Sequence, residues 1–118
     1  MAFDPCAVAA RYHAAINALD FPAIATFFAE IATYSSGKVG GLKGRGEILA
    51  AFRRYFAEYP DQVATNSLVE AVSANVVRAA WSLHATSATT GAPLDRHGEE
   101  VITFDSEGKI LRVEVTDH

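Results

Sequence analysis

The sequence predicts an α+β domain in which three N-terminal helices pack on one face of a curved antiparallel sheet. In the first half of the chain, apolar residues recur every three or four positions, as on one face of a helix. In the second half they alternate with polar residues, as in strands with one buried face. Hydrophobic residues make up 50% of the 118 residues, which suits a single domain over residues 1–118 with one core.

The first two helices are predicted from aspartates followed by proline in the first turn. Asp4 precedes Pro5, and Asp20 precedes Pro22. An aspartate at the N-cap accepts hydrogen bonds from first-turn amides, and proline is tolerated there because it has no amide hydrogen to satisfy. The apolar face of the first helix consists of Val8, Tyr12, Ile16 and Leu19, and that of the second of Phe21, Ile24, Phe27 and Phe28.

A third helix is predicted between a glycine-rich stretch and Pro60. Residues 33–36 are a candidate short strand, and residues 40–46 are predicted to form a loop. The helix ends before Pro60, because the residue that precedes a proline is disfavoured in the helical region. Its apolar face consists of Ile48, Phe52, Tyr55, Phe56 and Tyr59.

The remaining chain is predicted to form a meander of strands. The predicted strands cover residues 62–72, 76–86, 96–104 and 109–117. Turns are predicted at Asn75 and at residues 90–93 and 105–108, which are rich in Gly, Asn, Asp and Pro. Such a meander gives an antiparallel sheet.

Strand alternation places two acids on inward faces. Glu100 shares a face with Ile102 and Phe104, and Asp117 shares one with Val113. Trp81 lies on the apolar face of its own strand, which must pack against the helices. Burying a carboxylate costs several kcal/mol or more unless it is paired or protonated, so each acid needs an explanation.

The hairpin register distinguishes the two acids. If Phe104 pairs with Lys109, then Glu100 lies opposite Val113 and Arg96 lies opposite Asp117. Asp117 then has an ionic partner, whereas Glu100 has no charged partner on its face. Glu100 is therefore the main candidate site residue, with a structural ion pair or an exposed strand end as the alternatives.

Charge and composition argue against several classes of function. The net charge of -4 argues against binding nucleic acid, which requires clustered Lys and Arg. No apolar run reaches the ~18 residues of a membrane helix, and the N-terminus has no signal-peptide pattern. Together with the single cysteine, Cys6, this predicts a cytoplasmic protein. His84, His97 and His118 lack the spacing of metal ligands, so no metal or cofactor is expected.

Several local motifs, in this order and spacing, resemble the nuclear-transport-factor-2-like (NTF2-like) superfamily. They are residues 11–20, Phe27-Phe28-Ala29-Glu30, Gly44-Arg45, Tyr59-Pro60-Asp61 and the last hairpin, from Phe104-Asp105 to Gly108-Lys109-Ile110. The branches that they resemble are the ketosteroid isomerases and the SnoaL-like polyketide cyclases. The resemblance covers nearly the whole chain. It implies a cone-shaped fold with a deep apolar pocket, and a homodimer formed through the outer face of the sheet.

The resemblance also implies roles for individual residues. Tyr12 falls on the oxyanion-hole tyrosine of the isomerases, and Glu100 on an aspartic acid that those enzymes keep protonated. Ser36 falls on their general base, and an uncharged serine cannot abstract a carbon-bound proton without help. In the cyclases, the catalytic histidine and aspartate correspond to Glu100 and Val115. The chain therefore lacks the standard base of either enzyme.

These observations leave an enzyme and a non-catalytic protein as competing hypotheses. In the first, Tyr12 and protonated Glu100 hold the oxygen of a small apolar carbonyl compound as enolate charge develops, with Asp117 or water as base. In the second, the chain is a ligand-binding or dimerisation module, or a structural protein with a filled cavity. His13 is expected to point about 100° away from Tyr12 around the helix. The predicted pocket wall contains Tyr12, Phe27, Phe56, Trp81, Glu100, Ile102 and Val113.

Overall fold

A computed structural model describes residues 3–37 and 40–118. The helices are α1 (Pro5–Asn17), α2 (Phe21–Phe27) and α3 (Arg45–Glu58). The strands are β1 (Phe28–Ser36), β2 (Gly40–Lys43), β3 (Val63–Ser73), β4 (Val76–Thr86), β5 (Pro93–Phe104) and β6 (Ile110–Asp117). The predicted α+β class is confirmed. None of the helices in these two ranges is long and apolar enough to cross a membrane.

The six strands form one mixed sheet in the order β2-β1-β6-β5-β4-β3. All neighbouring strands are antiparallel except β1 and β6, which are parallel. The expectation of a wholly antiparallel sheet is therefore wrong at this one junction. Alternation of side chains is the same in both orientations, so the sequence pattern does not reveal the direction of a distant partner strand.

The first half of the sheet is more extensive than predicted. Strand β1 begins at Phe28, directly after α2, and not at position 33. Gly40–Lys43, predicted as part of a loop, pairs with β1 as an antiparallel strand, with Thr33 opposite Lys43. Glycine has a low strand propensity, so here tertiary pairing overrides the local signal.

The helix starts are confirmed in atomic detail. The Asp4 carboxylate accepts hydrogen bonds from the backbone amides of Cys6 and Ala7. The Asp20 carboxylate accepts one from the amide of Ala23. These bonds satisfy amides that have no partner inside the helix, and they fix where α1 and α2 begin.

The hairpin between β5 and β6 has a different register from the predicted one. Glu100 lies opposite Val115, and not Val113, while Asp117 lies opposite Gly98, and not Arg96. The backbone amide of Asp105 donates to the Lys109 carbonyl, so position 109 belongs to the turn, and an irregularity follows at Phe104. The shift is an even number of residues, so the predicted inward faces survive.

The core lies between the helices and the inner face of the sheet. Its largest fully buried side chains come from both layers: Tyr12, Phe28, Phe104, Ile24, Ile48, Ile102, Ile110, Val77 and Val113. The T-shaped contacts that Phe28 makes with Tyr12 and Phe52 join α1, β1 and α3. This packing positions the helix side chains that face the polar residues of the sheet.

Replacing Gly98 by alanine should destabilise the protein strongly. An added Cβ would lie 1.9 Å from the Thr116 carbonyl oxygen, so β5 and β6 would have to move apart. We expect a loss of about 2 kcal/mol or more in the free energy of unfolding, measured with urea. Gly46→Ala is the matched control, because nothing lies near its added Cβ and alanine favours the helix. Equal stability of both variants would contradict this account of the β5–β6 contact.

Candidate functional site

A cavity of about 110 Å³ lies between the helices and the inner face of the sheet. Its apolar wall includes Ile16, Ala51, Phe52, Phe56, Leu83 and Val115. Its polar wall includes His13, Tyr34, Tyr55, Asn66, Arg96 and Glu100, and the side chains of Ser36, Gln62 and Trp81 also reach it. An apolar hollow with a few converging polar groups is the usual form of a small-molecule site.

Glu100 is buried, as predicted, with 8% of its surface exposed. Its carboxylate lies 2.6 Å from His13 Nε2. The prediction that Glu100 has no charged partner concerned only its own face of the sheet. The structure provides a hydrogen-bond partner for Glu100 from α1. His13 does point away from the core side of α1, but that direction leads into the cavity.

Asn66 holds the other side of the His13 ring. Its side-chain nitrogen lies 2.9 Å from His13 Nδ1. With the amide in this orientation Nδ1 is the acceptor, so Nε2 carries the hydrogen and donates it to Glu100. These two hydrogen bonds hold the imidazole in one orientation between α1, β3 and β5.

Arg96 and Asp117 form the ion pair predicted from the sequence, although they are not directly opposite each other. Arg96 Nε and Nη2 each lie 2.7 Å from a different oxygen of Asp117, and Nη1 donates to the Tyr55 hydroxyl at 2.9 Å. The guanidinium also lies 5.1 Å from the centre of the Trp81 ring.

Electrostatics keep Arg96 charged. Burial alone would lower the pKa of Arg96, but its hydrogen bonds to Asp117 and Tyr55 more than offset burial, so the pKa is raised. Both oxygens of Asp117 accept from Arg96, and Asp117 is not among the side chains that reach the cavity. Its suggested role as a base therefore gains no support from this geometry.

Tyr12 lies behind the cavity wall. It is fully buried, packs against Phe27 and Phe28, and its hydroxyl has no hydrogen-bond partner among the described residues. Burial, and then the nearby Glu100 and Tyr34, raise the pKa of Tyr12 well above its ordinary value of 10.0. The hydrogen-bond partner of Glu100 is thus the next residue on α1, His13.

Tyr34 is the phenol that lines the cavity on the β1 side. Burial and the charge of Glu100 raise its pKa, and Arg96 opposes this only in part. Tyr34 therefore stays protonated near neutral pH and can donate a hydrogen bond. Sequence analysis missed it, because its position in β1 shows its face only once the strand partners of β1 are known.

The other residues predicted to bind a ligand divide into two groups. Phe56 and Trp81 line the cavity. Ile102 and Val113 are fully buried in the core, and Phe27 lines a separate surface recess beside Phe3 and Lys109. Among the described residues, no group of three or more His, Cys, Asp or Glu side chains could hold a metal ion.

The family model described as a SnoaL-like domain matches residues 9–113. A search of curated proteins found no match. The predicted resemblance to the NTF2-like group is confirmed by this match and by the solved structures that share the fold.

Three of these solved structures illustrate the range of similar proteins. SalBIII, an epoxide hydrolase/cyclase-like enzyme in salinomycin pyran ring formation, is 20% identical with a TM-score of 0.86, over 97% of this chain and 90% of its own. Rv0760c from Mycobacterium tuberculosis, in complex with estradiol-17β-hemisuccinate, is 15% identical with a TM-score of 0.84, over 96% and 93%. A protein with a ketosteroid isomerase-like fold from Catenulispora acidiphila, in complex with trimethylamine, is 17% identical with a TM-score of 0.80, over 92% and 82%. These identities establish a common fold and no more.

Stability should fall at alkaline pH because of Tyr12 and Tyr34. Their pKa values are raised in the folded protein, while the unfolded chain ionises near 10.0. Below about pH 10 both phenols are protonated in the folded and the unfolded protein, so the free energy of unfolding keeps its full value. As the pH rises above 10, the unfolded chain loses these protons first, and the free energy of unfolding falls. Urea unfolding at pH 8 to 11 should show this decline, and phenolate absorbance should show that both rings ionise only as the protein unfolds.

In each of the variants Tyr12→Phe and Tyr34→Phe, the free energy of unfolding should decrease less steeply with pH above pH 10. A curve unchanged in the double variant would contradict the assignment of the decline to these two phenols.

Proposed function

Because this chain belongs to the SnoaL-like domain family, we propose that its cavity binds a small, mostly apolar carbonyl compound and that Glu100 moves a proton on it. The observation that carries this proposal is a buried carboxylate, held by His13 at 2.6 Å, in the wall of a largely apolar cavity. A buried carboxyl group in the wall of an apolar cleft is a typical candidate for acid–base catalysis. The similar solved structures include a cyclase-like enzyme and a complex with a steroid derivative, which supports a ring-containing ligand.

In the proposed reaction Glu100 replaces the base that Ser36 cannot supply. The carboxylate takes a hydrogen from the carbon next to the carbonyl group, and the electron pair of that C–H bond moves to give an enolate. Return of the proton to another carbon of the delocalised enolate gives an isomer. Alternatively, the enolate carbon attacks a second carbonyl carbon and closes a ring, the π electrons of that C=O bond move to its oxygen, and the alkoxide takes the proton back from Glu100. His13 positions the carboxylate, because its Nε2–H donates to Glu100 while Asn66 fixes the ring.

Glu100 therefore acts in this proposal as an ionised acceptor. The resemblance to the isomerases implied the opposite, a protonated donor. A hydrogen bond donated by His13 suits a carboxylate oxygen that accepts it. The spare lone pairs of that carboxylate are then available for a substrate proton.

Tyr34 takes over the role first assigned to Tyr12. It lines the cavity and keeps its hydrogen, so it can stabilise negative charge on the enolate oxygen. Tyr12 is separated from the cavity and supports the packing behind it.

The size of the cavity favours a small substrate. An engineered cavity of about 150 Å³ binds benzene in another protein. The volume here, about 110 Å³, is smaller, so the part of the ligand that enters this partly open cavity is no larger than a single small ring.

A second candidate function is non-catalytic ligand binding. Both ring nitrogens of His13 already form hydrogen bonds, to Glu100 and Asn66. Arg96 likewise forms hydrogen bonds to Asp117 and Tyr55. Hydrogen-bond networks that are satisfied within the protein also stabilise a fold that has no catalytic role. A ligand that stabilises the protein and is recovered unchanged would favour this alternative.

Glu100→Gln should abolish most proton exchange on a simple ketone. Cyclohexanone in D₂O exchanges its α-hydrogens, which proton NMR follows directly. We expect the wild-type chain to accelerate this exchange, and Glu100→Gln to lower the acceleration by about 100-fold or more, because glutamine cannot accept the proton. Glu99→Gln is the matched control, since Glu99 lies on the outer face of the same strand.

Two results would overturn the catalytic proposal. One is equal exchange with the wild-type and Glu100→Gln chains when both have the same melting temperature. The other is binding of cyclohexanone without any accelerated exchange, which would favour the second candidate.

We also propose that the chain forms a homodimer through the outer face of the sheet. Val63 and Leu68 point to that face from β3 and are 56% and 43% exposed, which leaves apolar surface for a second copy. Leu68→Lys should shift the mass measured by light scattering from dimer to monomer. A wild-type chain that is monomeric at high micromolar concentration would contradict this proposal.

A further inference from the structure

We infer that Phe56 sets the size limit of the cavity, so that a ligand places one ring inside and a second fused ring finds no room there. This inference rests on the binding part of the proposed function and specifies its substrate class as a carbonyl compound with a single enclosed ring. It depends on how the aromatic side chains of α3 are held by the elements around them.

Phe52 and Phe56 form an aromatic wall on the helix side of the cavity. They lie one helical turn apart on α3, so they share one face of the helix. Both line the cavity, and only 8% and 7% of their surfaces are exposed. Their ring centres lie 5.8 Å apart, so the two rings make one continuous apolar surface.

The ring of Phe52 is held from the sheet side. It packs edge-to-face against Phe28, with 6.1 Å between ring centres, and against Tyr34, with 5.3 Å. Phe28 is itself fully buried, so it leaves no space into which Phe52 could move. A close-packed interior resists such a displacement, and Phe52 therefore keeps its position when a ligand binds.

The ring of Phe56 is held from the helix side. Its ring centre lies 6.0 Å from that of Phe21, on α2, and 5.6 Å from that of Tyr55. Phe21 is not among the side chains that line the cavity, so the ring of Phe56 separates Phe21 from it. Loss of this ring would therefore extend the cavity towards α2.

Phe56 is also the ring that can be changed with least effect on the groups proposed to act on the substrate. Phe52 contacts Tyr34, the proposed hydrogen-bond donor. The ring contacts of Phe56 in the described part of the chain are with Phe21, Phe52 and Tyr55. A change at Phe56 thus alters the size of the cavity and leaves Tyr34 and Glu100 in place.

Phe56→Ala should make room for a second ring. The substitution removes a whole benzene ring from the wall. 2-Decalone differs from cyclohexanone by a fused ring of four further carbons, and each carbon buried in an apolar space strengthens binding. The space that the substitution creates therefore matches the space that the second ring needs.

Calorimetric titrations with cyclohexanone and 2-decalone measure this preference. With the wild-type chain the two dissociation constants should agree within about threefold, because the second ring stays outside the cavity. With Phe56→Ala, 2-decalone should bind at least about tenfold more tightly than cyclohexanone. Phe27→Ala is the matched control and should keep the wild-type ratio, because Phe27 lines the separate surface recess.

Two further variants test the size limit without removing a whole ring from the core, a loss that can prevent folding. Phe56→Leu removes part of the ring, so its preference for 2-decalone should lie between those of the wild-type chain and Phe56→Ala. Ala51→Leu tests the opposite direction. Ala51 is buried and lines the same cavity, so a larger side chain there should weaken cyclohexanone binding about tenfold.

The outcomes separate this inference from the proposed function. If the wild-type chain already prefers 2-decalone tenfold, or if the folded Phe56 variants keep the wild-type ratio, the inference is wrong and the proton-transfer proposal stands. If the Phe56 variants gain the preference but Glu100→Gln exchanges protons normally, the catalytic proposal is wrong and the inference stands. Failure of both ketones to bind to any of these chains would overturn both.

Discussion

The site depends on the contact between a carboxylate on the inner face of the sheet and an imidazole on the helix that covers it. A buried Glu100 without a partner would destabilise the fold, and His13, at 2.6 Å, supplies that partner from α1. Asn66, on β3, forms a hydrogen bond with the other ring nitrogen of His13. The contact therefore joins three elements that are distant in sequence, and it sets one polar end of the cavity.

At the other polar end of the cavity, Arg96 forms hydrogen bonds to Asp117 and to the Tyr55 hydroxyl. Each end satisfies its own charges, so the interior between them can stay largely apolar. Among the described residues, three buried side-chain atoms have no hydrogen-bond partner: the Tyr12 hydroxyl, Gln62 Oε1 and Trp81 Nε1.

Membership in the SnoaL-like domain family specifies the scaffold and leaves the chemistry to individual side chains. By the resemblance to the isomerases, Ser36 falls on the position of their general base, and Glu100 falls on that of an aspartic acid, which is shorter by one methylene. The structure adds a histidine that holds Glu100. The same fold is compatible with proton transfer by a differently placed base and with binding alone, and the side chains of the cavity wall decide between them.

The sequence by itself determined the helix starts at Asp4 and Asp20, the inward faces of β4 to β6, and the burial of Glu100, because these follow from caps and from alternation within one element. It also indicated the pairing of Arg96 with Asp117 and the family. Only the tertiary structure decided that β1 runs parallel to β6, that Gly40–Lys43 is a strand, that the last hairpin has its own register, and that His13 rather than Tyr12 reaches Glu100. Each of these depends on how one element is placed against another far along the chain, and local periodicity carries no information about that placement.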